Sequence, residues 1–240
     1  MYSGYIYHGR LDAGLDGERT QPISGEDADR LAAKLGFRIR DGQETGTSIA
    51  VLGLDGPIED FLEAIKHSTE VFWWKKIADK QLTVEFESAD GKVVNACPRD
   101  NVLLEPFLTC YEVSTGRREK PDQQKSIYKE YSLNATGGLG FSPGKVSLLE
   151  LQCGTESAPD TESILINSVS LFRSSGMVIE YRKPGGTSDT GKYVAGIFIA
   201  NDRLNELLRS SEPASHWGWN ENSARIAELG AFRDLNISPS

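Results

Sequence analysis

The feature that most constrains this chain is a change of apolar period near Gln81. Before that point apolar residues recur every three or four positions, the spacing of one helix face; after it they recur every second position, the spacing of strands. Residues 24–36, SGEDADRLAAKLG, predict a helix: Ser24 is placed to cap it, Glu26 and Asp27 lie in its positive first turn, and Gly36 follows its end. A second helix is predicted to open at Asp55 and Pro57 and to close at Lys75 and Lys76, with Ile58, Phe61, Leu62, Ile65 and Phe72 on one apolar face. Between the two helices, Ser48–Leu54 is a short Gly-bounded apolar run and predicts a buried strand.

Beyond Gln81 the stretches LTVEFES, GKVVNAC and VLLEPFLTCYEV all predict strands, the first two joined by a hairpin turn at Asp90-Gly91. Further strands are predicted over 127–133, 145–153, 163–172, 176–182 and 192–200. Helices are predicted over 201–211, capped by Asn201, and over 220–230, capped by Asn220 and stopped by Gly230. Helices first, then a block of strands, then helices is the α+β pattern: a mostly antiparallel sheet with a few flanking helices.

Composition narrows the function. With 240 residues the chain can bury a large core without a disulfide or metal staple. Lys and Arg number 26 against 35 Asp and Glu, a net charge of −9, so the overall field that draws proteins onto nucleic acid or anionic lipid is missing. No run approaches a membrane span, and the N-terminal text carries neither the basic flank nor the apolar core of a signal peptide. Cys97, Cys110 and Cys153 are odd in number and widely spaced, which suits reduced thiols in the cytoplasm.

Few strings invite chemistry. GGLGFSPGKVS at 137–147 resembles a phosphate loop, but the glycine required five residues before Gly144 is Leu139, and Lys145 is followed by Val146 instead of a hydroxyl. His8, His67 and His216 show no metal-ligand spacing. Trp73 and Trp74 read as core and flank of the helix end more than as a platform for stacking a sugar or base, because no basic strip beyond Lys75, Lys76 and Lys80 accompanies them. An enzyme would have to draw on Asp55, Glu59, Arg173, Glu180, Glu212 and His216, which no spacing brings together; isolated acids at helix starts read first as partners of the helix dipole.

Four stretches carry a resemblance: PISGEDADRLAAKLGF…ETGTSIAVLG at 22–53, FWWKKIADKQLTVEF at 72–86, LFRSSGMVIEY…VAGIFIA at 171–200, and LLRSSEPASHWGW at 207–219. Together they look like the C-terminal part of a bacterial GHKL-type ATPase-containing protein, the superfamily of gyrase, histidine kinase and MutL nucleotide-binding domains. The last stretch departs from the family pattern at Ala214, where a second proline is usual, and at Trp217, where Asp is usual.

The resemblance implies that residues 1–54 close an incomplete ATPase domain and that 55–240 form an α+β, transducer-like region. It implies a portion that is not catalytic by itself, coupling nucleotide state to a partner, with phage defence among the roles suspected for such proteins. No D-x-G-x-G occurs, so ATP and Mg²⁺ are expected only if an upstream ATPase half is present. Of the nucleotide site only Gly46 and Thr47 match by resemblance, with Lys145, and alternatively Lys192, as the transducer lysine that reaches toward phosphate. Unpaired edges near Tyr5, Tyr7 and Ile49–Leu52 are then expected to pair with the upstream half, with a protein partner, or with each other in a homodimer. The alternative is a stand-alone β-rich module for protein interaction or ligand binding, with no ATPase link, which fits the strand block and the acidic balance equally.

Overall fold

A computed structural model describes residues 10–12, 19–37, 43, 55–88, 90–122, 126–134, 141–152, 163–183, 192–213, 218–220 and 223. The chain divides into two compact units, residues 1–55 and 56–240.

In the first unit, β1 (Arg10–Asp12) pairs antiparallel with β2 (Arg19–Gln21), and α1 (Glu26–Lys34) follows. The cap position of α1 is Gly25, one residue past the expected Ser24, and no side chain caps the helix. Its end is closed by backbone alone: Gly36 N–H donates to Ala33 and Phe37 N–H to Ala32, with Gly36 left-handed at φ 78°. The predicted strand at Ser48–Leu54 lies outside the described residues, as do Tyr5 and Tyr7.

The second unit opens with α2 (Ile58–Ala78), 21 residues and about 31 Å long. A two-stranded hairpin follows, β3 (Glu85–Glu87) with β4 (Val93–Asn95), turning at Asp90-Gly91 as the sequence predicts; Gly91 takes φ 81° there. After a short 3-10 turn (Pro98–Asp100) comes α3 (Glu105–Ser114). This corrects the expected strand at 102–113. Six consecutive residues of α3, Pro106, Phe107, Leu108, Thr109, Cys110 and Tyr111, are buried, so its apolar text is nearly continuous, and the polar stripe of Glu105, Thr109 and Glu112 at i, i+4 and i+7 is narrow. Pro106 in its first turn was the helix signal.

Five strands form the main sheet: β5 (Ser126–Ser132), β6 (Gly144–Gln152), β7 (Ser168–Phe172), β8 (Val178–Arg182) and β9 (Lys192–Ala200). Their order is β5-β6-β9-β7-β8, so the last strand enters the middle. Three pairings are antiparallel and one, β7 with β9, is parallel. A 3-10 turn (Asp202–Leu204) and α4 (Asn205–Ser211) close the described fold, and Asn201 caps as expected, accepting from Arg203 N–H. The predicted helix over 220–230 falls almost wholly outside the described residues. The architecture is a mixed α+β domain on a mostly antiparallel sheet.

The core lies where α2 and α3 cover one sheet face. Trp74 is fully buried and meets Tyr111 and Phe172 edge-on, with centroids at 5.7 and 5.8 Å. Its indole N–H donates to the Tyr181 hydroxyl, which in turn donates to the Val71 carbonyl. Burial pushes the Tyr181 phenol far above its ordinary range. Small side chains at Ser147, Ser168, Ser170 and Ala195 let α3 come close, so that the Cys110 thiol reaches the Ala195 carbonyl at 3.8 Å. Burial raises that thiol to about 12, making it an inert filler.

A polar pin holds the ends of α2 and α3 together. Asp79 accepts from the Tyr111 hydroxyl (2.8 Å), Arg117 (2.6 Å) and Lys75 (3.1 Å). Gly116, left-handed at φ 73°, turns the chain after α3 so that Arg117 comes back over the Tyr111 ring.

Of the apolar face read from sequence for α2, Phe72 packs against this core and Phe61 and Leu62 are half-buried, but the fully buried residues lie elsewhere on the helix. The buried residues are Glu70, Val71 and Trp74, whereas Ile58 and Ile65 are 48% and 50% exposed. Trp74 lies nine residues beyond Ile65, which is about half a turn out of phase, on the opposite side of the helix.

Candidate binding cleft

Six α2 residues, Glu59, Leu62, Glu63, Lys66, His67 and Glu70, recur at helical spacing and form one wall of a cleft. The facing wall is the inner side of the β3–β4 hairpin. Register pairs Phe86 with Val94, and the Ser88 N–H donates to the Lys92 carbonyl, so these four side chains share one face. The cavity between the walls is about 740 Å³.

The walls are joined at one end by a buried carboxylate. Glu70 is 4% exposed and accepts the Cys97 N–H (2.8 Å) and the Lys66 ammonium (2.7 Å). Cys97 directly follows Ala96, itself bonded back to Val84 at the base of the hairpin. The hairpin is therefore tied to α2 at its base. Towards its tip, Val94 faces the helix yet is 38% exposed. At the tip Asp90 accepts from the Ser88 hydroxyl and from the Lys92 N–H; the Ser88 bond chiefly, then the backbone donor, holds its carboxyl below the usual carboxylate range.

The residues singled out by sequence are scattered by comparison. Glu59 and His67 line the cleft. Arg173 and Glu212, on the stretches 171–200 and 207–219, do meet: the guanidinium grips the carboxylate through two bonds of 2.6 and 3.0 Å, and the Glu212 side chain is fully buried. Trp219 donates a third bond to Glu212 at 3.2 Å, and the Arg173 charge is stabilised chiefly by the Glu212 hydrogen bond. With both charged groups spent on each other, this cluster anchors the chain after α4 to the β7–β8 turn. Glu180 is engaged by Arg182, and Asp55 is exposed. Lys145 donates to the Ser114 carbonyl at the end of α3 (2.7 Å) and lies 3.7 Å from Glu130, while Lys192 pairs with Glu150. Gly144 and Lys145 begin a strand, where a phosphate loop would begin a helix. Gly46, Thr47, His8, His216 and Cys153 lie outside the described residues.

Among the described residues no group of three or more His, Cys, Asp and Glu is placed to hold a metal ion. No helix among them is long and apolar enough to cross a membrane. No family model, curated protein or solved structure matches the chain.

Proposed function

We propose that the chain is a protein-interaction module that seats a segment of a partner polypeptide in the cleft between α2 and the β3–β4 hairpin. The observation that carries this reading is the open wall itself: Phe86 and Val94 face the helix, yet Val94 keeps 38% of its surface exposed. The cavity falls within the ~300–1,000 Å³ range of ligand sites. Its shape favours a peptide. The α2 wall runs from Glu59 to Glu70, about 16 Å, which accommodates roughly five residues of extended chain. Its lining mixes three apolar side chains, Leu62, Phe86 and Val94, with charged ones on both walls, a composition suited to contact with a polypeptide.

The test is to pan a displayed random-heptapeptide library on the wild-type protein and on two variants that fill the cleft, Leu62→Trp and Val94→Trp, with folding of each confirmed by thermal melting. Peptides enriched on wild type and lost on both filled variants support the module. Equal recovery from all three proteins, or no enrichment on wild type, overturns it.

A further inference from the structure

Resting on the cleft reading above, we infer that the segment it takes is cationic: a lysine or arginine beside an apolar residue. The charges in the cleft do not cancel. Its lining carries four carboxylates, at Glu59, Glu63, Glu70 and Asp90, against two ammonium groups, at Lys66 and Lys92. Lys66 is committed to Glu70 at 2.7 Å. Lys92 stands beside Asp90 at the hairpin tip and contributes to holding that carboxyl ionised. Glu59 and Glu63 are left one turn apart without an ion pair among the described residues.

The two are not equal. Glu59 lies in the first turn of α2, where its charge complements the positive helix end. Glu63 lies a turn further in and has no such role. It should therefore contribute the larger share of the attraction for a partner cation. Phe86 across the cleft is an aromatic side chain, a residue type that packs with the methylene stem of a lysine or arginine and can attract its cation. Leu62 and Val94 supply the surface for the neighbouring apolar side chain. Both wall carboxylates sit on a protein of net charge −9, so long-range attraction has the same sign as the local one.

Sequencing of the peptides recovered from the library tests this directly. The pool from wild type should carry Lys and Arg next to an apolar residue at about three times their input frequency, with Asp and Glu depleted. A single recovered peptide, labelled and followed by fluorescence anisotropy, should bind Glu63→Gln about fivefold more weakly, and Glu59→Gln about twofold more weakly. Raising NaCl from about 0.05 M to about 0.5 M should weaken wild-type binding more than it weakens Glu63→Gln. A pool that depends on the open cleft but shows no Lys or Arg excess, or an excess of acids, overturns the cationic assignment and leaves the module standing. A pool indifferent to Leu62→Trp and Val94→Trp overturns both. Equal affinity for wild type and Glu63→Gln overturns the role given to Glu63.

Discussion

The two halves of α2 are built from similar residues and end in opposite situations. In the second half Val71 and Trp74 are 1% and 0% exposed, pressed by α3, β7 and β8. In the first half Ile58 and Ile65 keep 48% and 50% of their surface, and the neighbouring face looks across a cleft at the hairpin. The apolar stripes of the two halves lie on opposite sides of one helix. An apolar period states which face a helix would bury; it does not state that a partner is there to bury it. Where the partner exists, α2 is a core element. Where it does not, α2 is a surface with room for something else.

If that contrast is real, substitutions along one helix should grade steeply. Trp74→Ala should cost the most, about 3–5 kcal/mol by urea denaturation. It removes the largest side chain at the centre of the cluster, two edge-on aromatic contacts and the donor to Tyr181. A loss below about 1 kcal/mol would mean that the interior is loosely packed, and the division into a closed and an open half would fail.

The Asp79 pin, at the end of the closed half, gives a second and smaller effect. Burial by itself would raise the Asp79 pKa, but hydrogen bonds from Arg117, Tyr111 and Lys75 outweigh it and hold the carboxyl below its ordinary value. A group depressed on folding contributes stability that is fully present above the unfolded value, near ~3.9, and is lost as pH falls through the folded value. Wild type should therefore lose stability on acidification below about pH 4 more steeply than Asp79→Asn, which should itself be about 2 kcal/mol less stable at neutral pH. Parallel acid profiles for the two proteins in urea denaturation would show that Asp79 does not pin the helix ends.

Much of the fold was legible because its signals are local. The Asp90-Gly91 turn, the Asn201 cap and the strand at 192–200 all stand where sequence places them. What escaped depends on contacts between distant residues. The run at 102–113 reads as a strand because its apolar residues are nearly continuous, while the polar helical stripe of Glu105, Thr109 and Glu112, which Arg118 gathers from i, i+4 and i+7, is narrow. On α2 the sequence reading reaches Phe72, which packs on the core, but misses Val71 and Trp74, because Ile58, Phe61, Leu62 and Ile65 outweigh them in any local count. One end of the cleft is set by Glu70, which reaches Cys97, 27 positions away, and ties the hairpin base to α2. Glu59 and His67 stand out in the sequence, but nothing near them announces Phe86 and Val94 as the opposite wall. Likewise Arg173 and Glu212 are 39 positions apart, and their pairing could not be read from spacing.

The smallest expected effect bears hardest on the contrast. Ile65→Ser replaces an aliphatic side chain that sequence alone assigns to a buried face. A fully buried isoleucine would lose about 2–5 kcal/mol on such a truncation. Because half of this side chain already faces water, and because serine costs only a few tenths of a kcal/mol in helix propensity relative to isoleucine or less, the expected change is within about 0.5 kcal/mol. The measurement discriminates sharply, since the two possibilities differ by more than the error of urea denaturation. A change near zero, beside a large loss at Trp74 nine residues on, would establish that one continuous helix is core along one half and open surface along the other. A loss above about 1 kcal/mol would place Ile65 against a packed neighbour. The side of α2 that carries Ile58 and Ile65 would then be closed as well, and the contrast between the two halves of the helix would fail.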